Sequence, residues 1–248
     1  MIKVLAKAFA VYEEVARKST VRPVRCSEIA EACQIAPATV MRLLQTLVRL
    51  KYLRQVSRQA GYTIGPKAHS LAWHTYYKSP LLKIAAPLII EFANCNQCSI
   101  ALCERVGLEY FILCHENKSE KLNIRWERIS YRDFLGTAVG MFFSAYASPD
   151  EQQQIFAEKL GDYRRFFPQE TDCLKCFEGI KKNNFFFFEE YPIAILSFGI
   201  FKDQKLVGCL GVTIELDKFQ SRKKELIAEI EMLALQIEQT ISVVDAIS

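Results

Sequence analysis

The sequence predicts an α+β protein: an N-terminal winged helix-turn-helix, a linker helix, and a C-terminal domain built on an antiparallel sheet. Three observations predict it. Residues 27–65 run as a short helix, a tight turn, a longer helix and a basic hairpin. Beyond residue 81 helical stretches mix with strands joined by short turns, the pattern of helices laid on a hairpin-linked sheet. Charge divides the same way. Residues 1–75 carry 12 Lys and Arg against 4 Asp and Glu, net +8, and residues 76–248 carry 20 against 24, net −4. A basic head on a mildly acidic body is the footprint of nucleic-acid backbone neutralisation.

The head starts with a helix over 3–18, where Leu5, Ala8, Phe9, Tyr12 and Val15 keep helical spacing. Lys7 and Glu13 interrupt that stretch, so it is not a signal peptide. Ser27 is placed to cap the next helix, with Glu28 in its first turn and Ala32 small enough for a close crossing. Gln34 and Ile35 make the turn, and Pro37 suits a first helical turn, where its missing N–H costs nothing. Val40, Leu43, Leu44, Leu47 and Leu50 form the inward face. Thr39, Met41, Arg42, Gln45, Thr46 and Arg49 are left outward. Arg and Gln bond base edges bidentately, Thr donates and accepts, and Met meets a thymine methyl, so this is a recognition helix. Tyr52–Val56 and Gly61–Ile64 flank a polar tip, 57–60, whose Arg58 can lie on phosphate. The predicted DNA-contacting set is Ser27, Pro37, Ala38, Thr39, Met41, Arg42, Gln45, Arg49 and Arg58.

Residues 66–78 read as a linker helix opened by Pro66 and stopped at Ser79-Pro80. Its Leu71, Trp73, His74 and Tyr77 are more aromatic surface than one covering helix needs, and suggest a dimer contact. The domains are therefore 1–65, 66–79 and 80–248. In the last, Leu81–Cys95 is helical, Ser99–Glu104 and Tyr110–His115 are strands around Gly107, and 122–126 is a candidate third strand. Thr137–Ala147 is a helix. Ser148-Pro149-Asp150-Glu151 is a capping box for the next one, and Thr171 caps another that runs to Lys182, with Asn183 or Asn184 at its left-handed end. Phe185–Glu189 reads as a buried strand, followed by strands Ile193–Phe201 and Leu206–Glu215. A final helix over 221–246 carries one seam: Leu226, Ile230, Leu233, Ile237, Ile241 and Val244.

The chain shows no stretch near the ~20 apolar residues that span a bilayer. Nine cysteines without a secretion signal suit a reducing cytoplasm. Cys95–Cys98 and Cys173–Cys176 have CxxC spacing, which could hold zinc. Without glycine-rich knuckles they read instead as small buried hydrophobes. Cys173, near a helix start, is the better candidate for a redox thiol. His69 and His74, five apart, do not share a helix face, and His115 reads as a satisfied surface histidine. No triad order, phosphate loop or dinucleotide fingerprint is present. An enzyme reading is therefore poor and no cofactor is implied.

In SEIAEA, TVMRLLQTLVRLKYL, GYTIGPKAHSLAW, FLGTAVGMFFSA and ILSFGIFKDQKLVGCLGVTIEL the chain resembles the IclR family of transcription regulators. The resemblance implies a winged-helix head, a dimerising linker helix and a GAF-like effector-binding body. It also implies dimers or tetramers on operator DNA, and control by a small metabolite, often an organic acid. Some positions depart from the family pattern. Gln34 stands where such proteins have Gly, Pro37-Ala38 where they have Lys-Ser, and Met41 where His is common; Arg42 is kept. In the body Gly140 is kept, but Met141 replaces a usual Lys, Ile195 a Cys or small residue, and Gly211 a Ser. A bulkier, less polar effector, or a lost response, is implied. The pocket is expected between strands 193–201 and 207–215 and the helix starting near Thr137. Its candidate lining is Thr137, Gly140, Met141, Ile195, Phe198, Leu210 and Gly211. Taken together, the sequence reads as a cytoplasmic, ligand-responsive regulator, a repressor, with duplex DNA, a small effector and its own copy as partners and no membrane. The competing readings are a redox or metal sensor acting through the paired cysteines, and an enzyme-like ligand binder with a vestigial head.

Overall fold

A computed structural model describes residues 2–122, 124 and 130–247, with the backbone alone at 75–78 and 243–247. The chain divides after Ser79 into two compact units. The first holds α1 (Lys3–Lys18), α2 (Cys26–Cys33), α3 (Pro37–Arg49), β1 (Leu53–Ser57), β2 (Gly61–Ile64) and α4 (Pro66–Lys78). Val11 and Val15 of α1, Ile29 of α2, Val40 and Leu44 of α3, and Leu53 and Tyr62 of the hairpin share one core.

Local chemistry explains each junction in the head. Ser27 does not cap α2: the helix begins one residue earlier, Arg25 holds the cap position, and Ser27 is exposed inside the first turn. Glu28 does the capping by reaching back, its Oε2 accepting from the Arg25 backbone N–H at 2.9 Å. Gln34 ends α2 in the left-handed region (φ 54, ψ 41). Its N–H bonds the Glu31 carbonyl, and Ile35 N–H bonds that of Ala30 at 3.1 Å, the paired closure of a Schellman end. Ala32 is exposed and Ala30 is buried, so the close contact falls on Ala30. Leu50 is exposed too, because it lies past the last turn of α3, and Val48 packs in its place. The wing gains a third rung where Val24 and Tyr62 exchange backbone bonds of 2.9 and 2.8 Å.

The second unit holds α5 (Pro80–Asn96), β3 (Ser99–Val106), β4 (Glu109–Asn117), β5 (Ser130–Tyr131), α6 (Ala138–Ala145), α7 (Pro149–Ala157), α8 (Glu170–Asn183), β6 (Phe185–Glu190), β7 (Ile193–Lys202), β8 (Lys205–Glu215) and α9 (Leu216–Ile247). Its strands form one antiparallel sheet in the order β5-β4-β3-β8-β7-β6. On one face Ile100, Leu102, Leu196, Phe198, Leu210 and Val212 pack under α5 and α9. On the other Ala101, Cys103, Phe186, Ile195 and Cys209 pack under α6, α7 and α8.

Several element boundaries differ from the sequence reading. The candidate strand at 122–126 falls largely outside the described residues. The phenylalanine run is the edge strand β6, and only Phe186 is fully buried. Gln169, not Thr171, holds the cap position of α8, and Asn184 ends that helix with φ 58. The capping box at α7 forms as read, Glu151 Oε2 accepting from Ser148 N–H at 2.9 Å. Asp203 and Gln204 (φ 49 and 62) supply the two left-handed residues of a tight hairpin turn. The last helix starts at Leu216 and bends at Arg222, and Leu226, Ile230, Leu233, Ile237 and Ile241 are buried along it. Among the described residues no helix is long and apolar enough to cross a membrane.

Candidate functional site

α3 is the part of the head that sequence and structure describe alike. Its N1 proline and buried Val40 and Leu44 set the helix rotation. That rotation leaves Ala38, Met41, Arg42, Gln45 and Arg49 exposed on successive turns of one side. Pro37 is exposed at the helix start and Thr39 is half-buried. Arg42 and Arg49 form no ion pair among the described residues. Met41 is partly tied down: its Sδ lies 3.6 Å from the hydroxyl of Tyr62, so the thioether leans toward the wing. Thr46 spends its hydroxyl on the Arg42 carbonyl at 2.9 Å. At the wing tip Ser57 Oγ accepts from Ala60 N–H at 2.9 Å, which shapes the turn and leaves Arg58 exposed. Arg54 on β1 and Lys51 just before it are exposed beside them and extend the cationic row. Neither is in the predicted DNA-contacting set, although a cation at each end of the short segment entering the wing is readable from the sequence.

The seven expected effector residues separate when side-chain direction is followed. Register puts Ala101, Ser197 and Gly211 on one face, since Ala101 and Ser197 both pair with Gly211. Phe198 and Leu210 point to the opposite face, under α5 and α9, and leave the site. Met141 faces α8, fully buried, with the Cys173 Sγ 3.9 Å from its sulfur. Gly140 is required by the protein's own backbone: a Cβ there would stand 2.2 Å from the Asp133 carbonyl oxygen. Thr137 caps α6, its Oγ1 accepting from Gly140 N–H at 3.0 Å while lying 2.9 Å from the Asp133 carbonyl and 3.0 Å from the Tyr110 hydroxyl. Ile195 and Gly211 stay on the α6 side.

Three further polar groups share that side. Thr213 pairs with both Ile195 and Ser99, and His115 pairs with Ala101. Ser99 Oγ lies 2.8 Å from His115 Nε2. Ile195, Gly211, Thr213 and His115 are half-buried, whereas Ala101, Ser197, Gly199 and Cys209 on the same face are fully covered. The strip they form is where the helical cover of this face thins. His115 is thus turned inward rather than lying on the surface, and burial lowers its pKa. The alternation Ser99, Ala101, Cys103 already put Ser99 on this face; the histidine needed the cross-strand register.

All nine cysteines are free thiols. Cys98 and Cys173 are buried, which pushes each up to about 12, and Cys176 is raised to about 11. A low-pKa thiol at Cys173 is therefore overturned, because desolvation outweighs whatever a helix start supplies. Among the described residues no three His, Cys, Asp or Glu side chains gather to hold a metal.

The family model of the IclR helix-turn-helix domain matches residues 4–57, the segment that carries α1 to β1. Over those residues the head is similar to the IclR helix-turn-helix domain. Behind this head the whole chain has the fold of solved IclR-type proteins. The crystal structure of an IclR transcriptional regulator from Alicyclobacillus acidocaldarius superposes with a TM-score of 0.78 at 16% identity, covering 99% of this chain and 98% of that one. An IclR homolog from Microbacterium hydrocarbonoxydans, complexed with 4-hydroxybenzoate, gives 0.79 at 14% identity, with 97% and 99% covered. The IclR of Thermotoga maritima gives 0.70 at 16%, with 98% and 100% covered. No curated protein matches the chain significantly. Head and body together have the architecture of IclR-type transcription regulators.

Proposed function

We propose that the chain is a ligand-controlled transcription regulator, a repressor acting in the cytoplasm, that reads duplex DNA as a homodimer or tetramer. Residues 1–65 bind DNA, 66–79 join two copies, and 80–248 bind the effector. The exposed row Ala38, Met41, Arg42, Gln45 and Arg49, flanked by Arg54 and Arg58, carries the DNA reading. Arg42 and Gln45 contact base edges, Arg58 contacts backbone, and Ser27, Pro37, Ala38 and Thr39 stand at helix starts near phosphate.

The effector lies over Ile195, Gly211 and Thr213 at the start of α6, with Thr137 and the Ser99–His115 pair as its polar wall. An aromatic or short aliphatic acid suits this mix of one apolar side chain, one bare glycine and a few hydrogen-bonding groups. The complex of a similarly folded protein with 4-hydroxybenzoate supports the aromatic option. Control requires only that the ligand favour one conformational state and DNA another.

The test is fluorescence anisotropy on the promoter fragment ahead of the protein's own gene and on a random duplex of equal length. Arg42→Ala should cost about 1–3 kcal/mol on the promoter and little on random DNA. Arg58→Ala should weaken both alike and flatten the salt slope by about 0.9. Equal losses on both duplexes for Arg42→Ala would remove it from the base-reading set.

A further inference from the structure

Between the start of α2 and the tip of the wing lies a hollow of about 520 Å³, lined by Arg22, Pro23, Arg25, Ser27, Glu28 and Ala60. Two guanidinium groups stand in it against one carboxylate. The Val24–Tyr62 rung holds the 22–25 segment against the wing, so Arg22 and Arg25 flank a fixed point. Glu28 is anchored by its cap bond to the Arg25 N–H at 2.9 Å. Arg22 is not anchored in that way. Its Nη2 and Nη1 lie 2.5 and 3.2 Å from the Glu28 oxygens, its only other side-chain bond among the described residues is to the Pro23 carbonyl at 3.1 Å, and its side chain is 62% exposed. Arg25 makes no ion pair among the described residues.

We infer that this hollow seats one backbone phosphate of duplex DNA, and that Arg22 leaves Glu28 to bind it, so that Glu28 is a built-in brake on DNA affinity. The inference rests on the reading of the head as a DNA binder. The hollow opens between the start of α2 and Ala60 of the wing tip. A phosphate there meets Arg25 directly, and the Ser27 hydroxyl is an added donor. Arg22 has the planar fork that matches a phosphate as well as a carboxylate. Exchange is feasible because an exposed ion pair is weak and screened. The cost is that Glu28, held by its cap, remains beside the phosphate with its own charge uncovered. The brake acts on every sequence equally, since a phosphate carries no sequence information.

Glu28→Gln removes the charge and keeps an oxygen for the Arg25 amide. In anisotropy titrations of the full chain from 50 to 200 mM salt, it should tighten promoter and random duplex alike by about three- to tenfold at the low end. Its log–log salt slope should steepen by about 0.9, so the advantage over wild type falls by about 3.5-fold across that range. Arg22→Ala, which removes one exposed side chain and threatens no core, should weaken both duplexes by a similar factor. If Glu28→Gln binds no tighter than wild type while its helical circular dichroism is unchanged, the brake does not exist. If Arg22→Ala binds as wild type does, Arg22 is not the exchanging group. If wild type binds neither duplex, the DNA reading itself fails and takes this inference with it.

Discussion

Replacing Gly140 by alanine adds one methyl group at the point where α6 crosses the loop before it. The new Cβ would stand 2.2 Å from the Asp133 carbonyl oxygen and 2.7 Å from both Cα and O of Phe134. Ordinary carbon–oxygen contacts begin near about 3.3 Å, so loop and helix must part by roughly 1 Å. The opposing atoms are backbone, and they are held from several sides. The Asp133 carbonyl takes the Thr137 hydroxyl at 2.9 Å, the Phe134 carbonyl takes the Ser144 hydroxyl at 3.3 Å, and Leu135 N–H bonds the Leu160 carbonyl at 2.8 Å. Phe134 and Leu135 are themselves buried. Overpacking of this kind costs about 1–3 kcal/mol, with about 1 more if one of those bonds is lost. Alanine returns about 1 kcal/mol as the better helix former. A 1 Å parting breaks at least one of those bonds, so the balance is about 1–3 kcal/mol of lost stability. For a unit of this size that lowers Tm by roughly 3–10 °C. Differential scanning calorimetry of the full chain reads it directly. An unchanged or raised Tm would show that the loop gives way freely and that glycine is not demanded by backbone contact. The same geometry disqualifies a leucine at this position as a clean effector-blind variant, since it damages the body first.

Two further outcomes follow from surface and thiol chemistry. Trp73 on α4 is 59% exposed, with Leu71 exposed beside it and Leu5 and Phe9 exposed on α1; if these cover a second copy, Trp73→Glu should shift sedimentation to monomer with unchanged far-UV dichroism, and an intact dimer would clear α4 of that role. Iodoacetamide at neutral pH should label exposed Cys95 first, and Cys98 and Cys173 only in denaturant, since both thiols are pushed up to about 12; rapid native labelling of Cys173 would reopen the redox reading.

The head was legible in the sequence because its signals are local. Periodicity set the rotation of α3, Pro37 set its start, and the wing announced itself by two short segments flanking a polar tip. The misreadings there are also local in cause. A serine at Ser27 looks like a cap by type, yet Glu28 reaches back to cap at Arg25, two residues earlier, with its longer arm. Leu50 fits the seven-residue spacing but is the C-cap of α3, where its side chain is exposed. In the body the elements were readable for the same reason, and the capping box at Ser148 is the clearest case. The site was not. Met141 belongs to the α8 contact and Gly140 to the Asp133 loop, and neither neighbour lies within the reach of a local pattern.

What decides the effector face is register between strands distant in sequence. Alternation alone splits 195 from 198 and 210 from 211, but it cannot say which half looks at α6. Register groups Ala101, Gly211 and His115 on one face, and the Ser197 hydroxyl on the Ala138 carbonyl at 3.0 Å turns that face to α6. The β3–β8 ladder sets Ser99 directly beside Thr213 in the strip. They also alter the argument from composition. Ile195 and Gly211 lack the polar atoms that the resemblance leads one to expect, which by itself points to an apolar or vanished ligand. Ser99 and His115 supply hydrogen-bonding capacity from β3 and β4, and Thr213 adds a hydroxyl from β8. The strip is thus polar on three strands and apolar at Ile195 on β7. We propose that a ligand held there turns its polar end toward β4 and its apolar body toward Ile195.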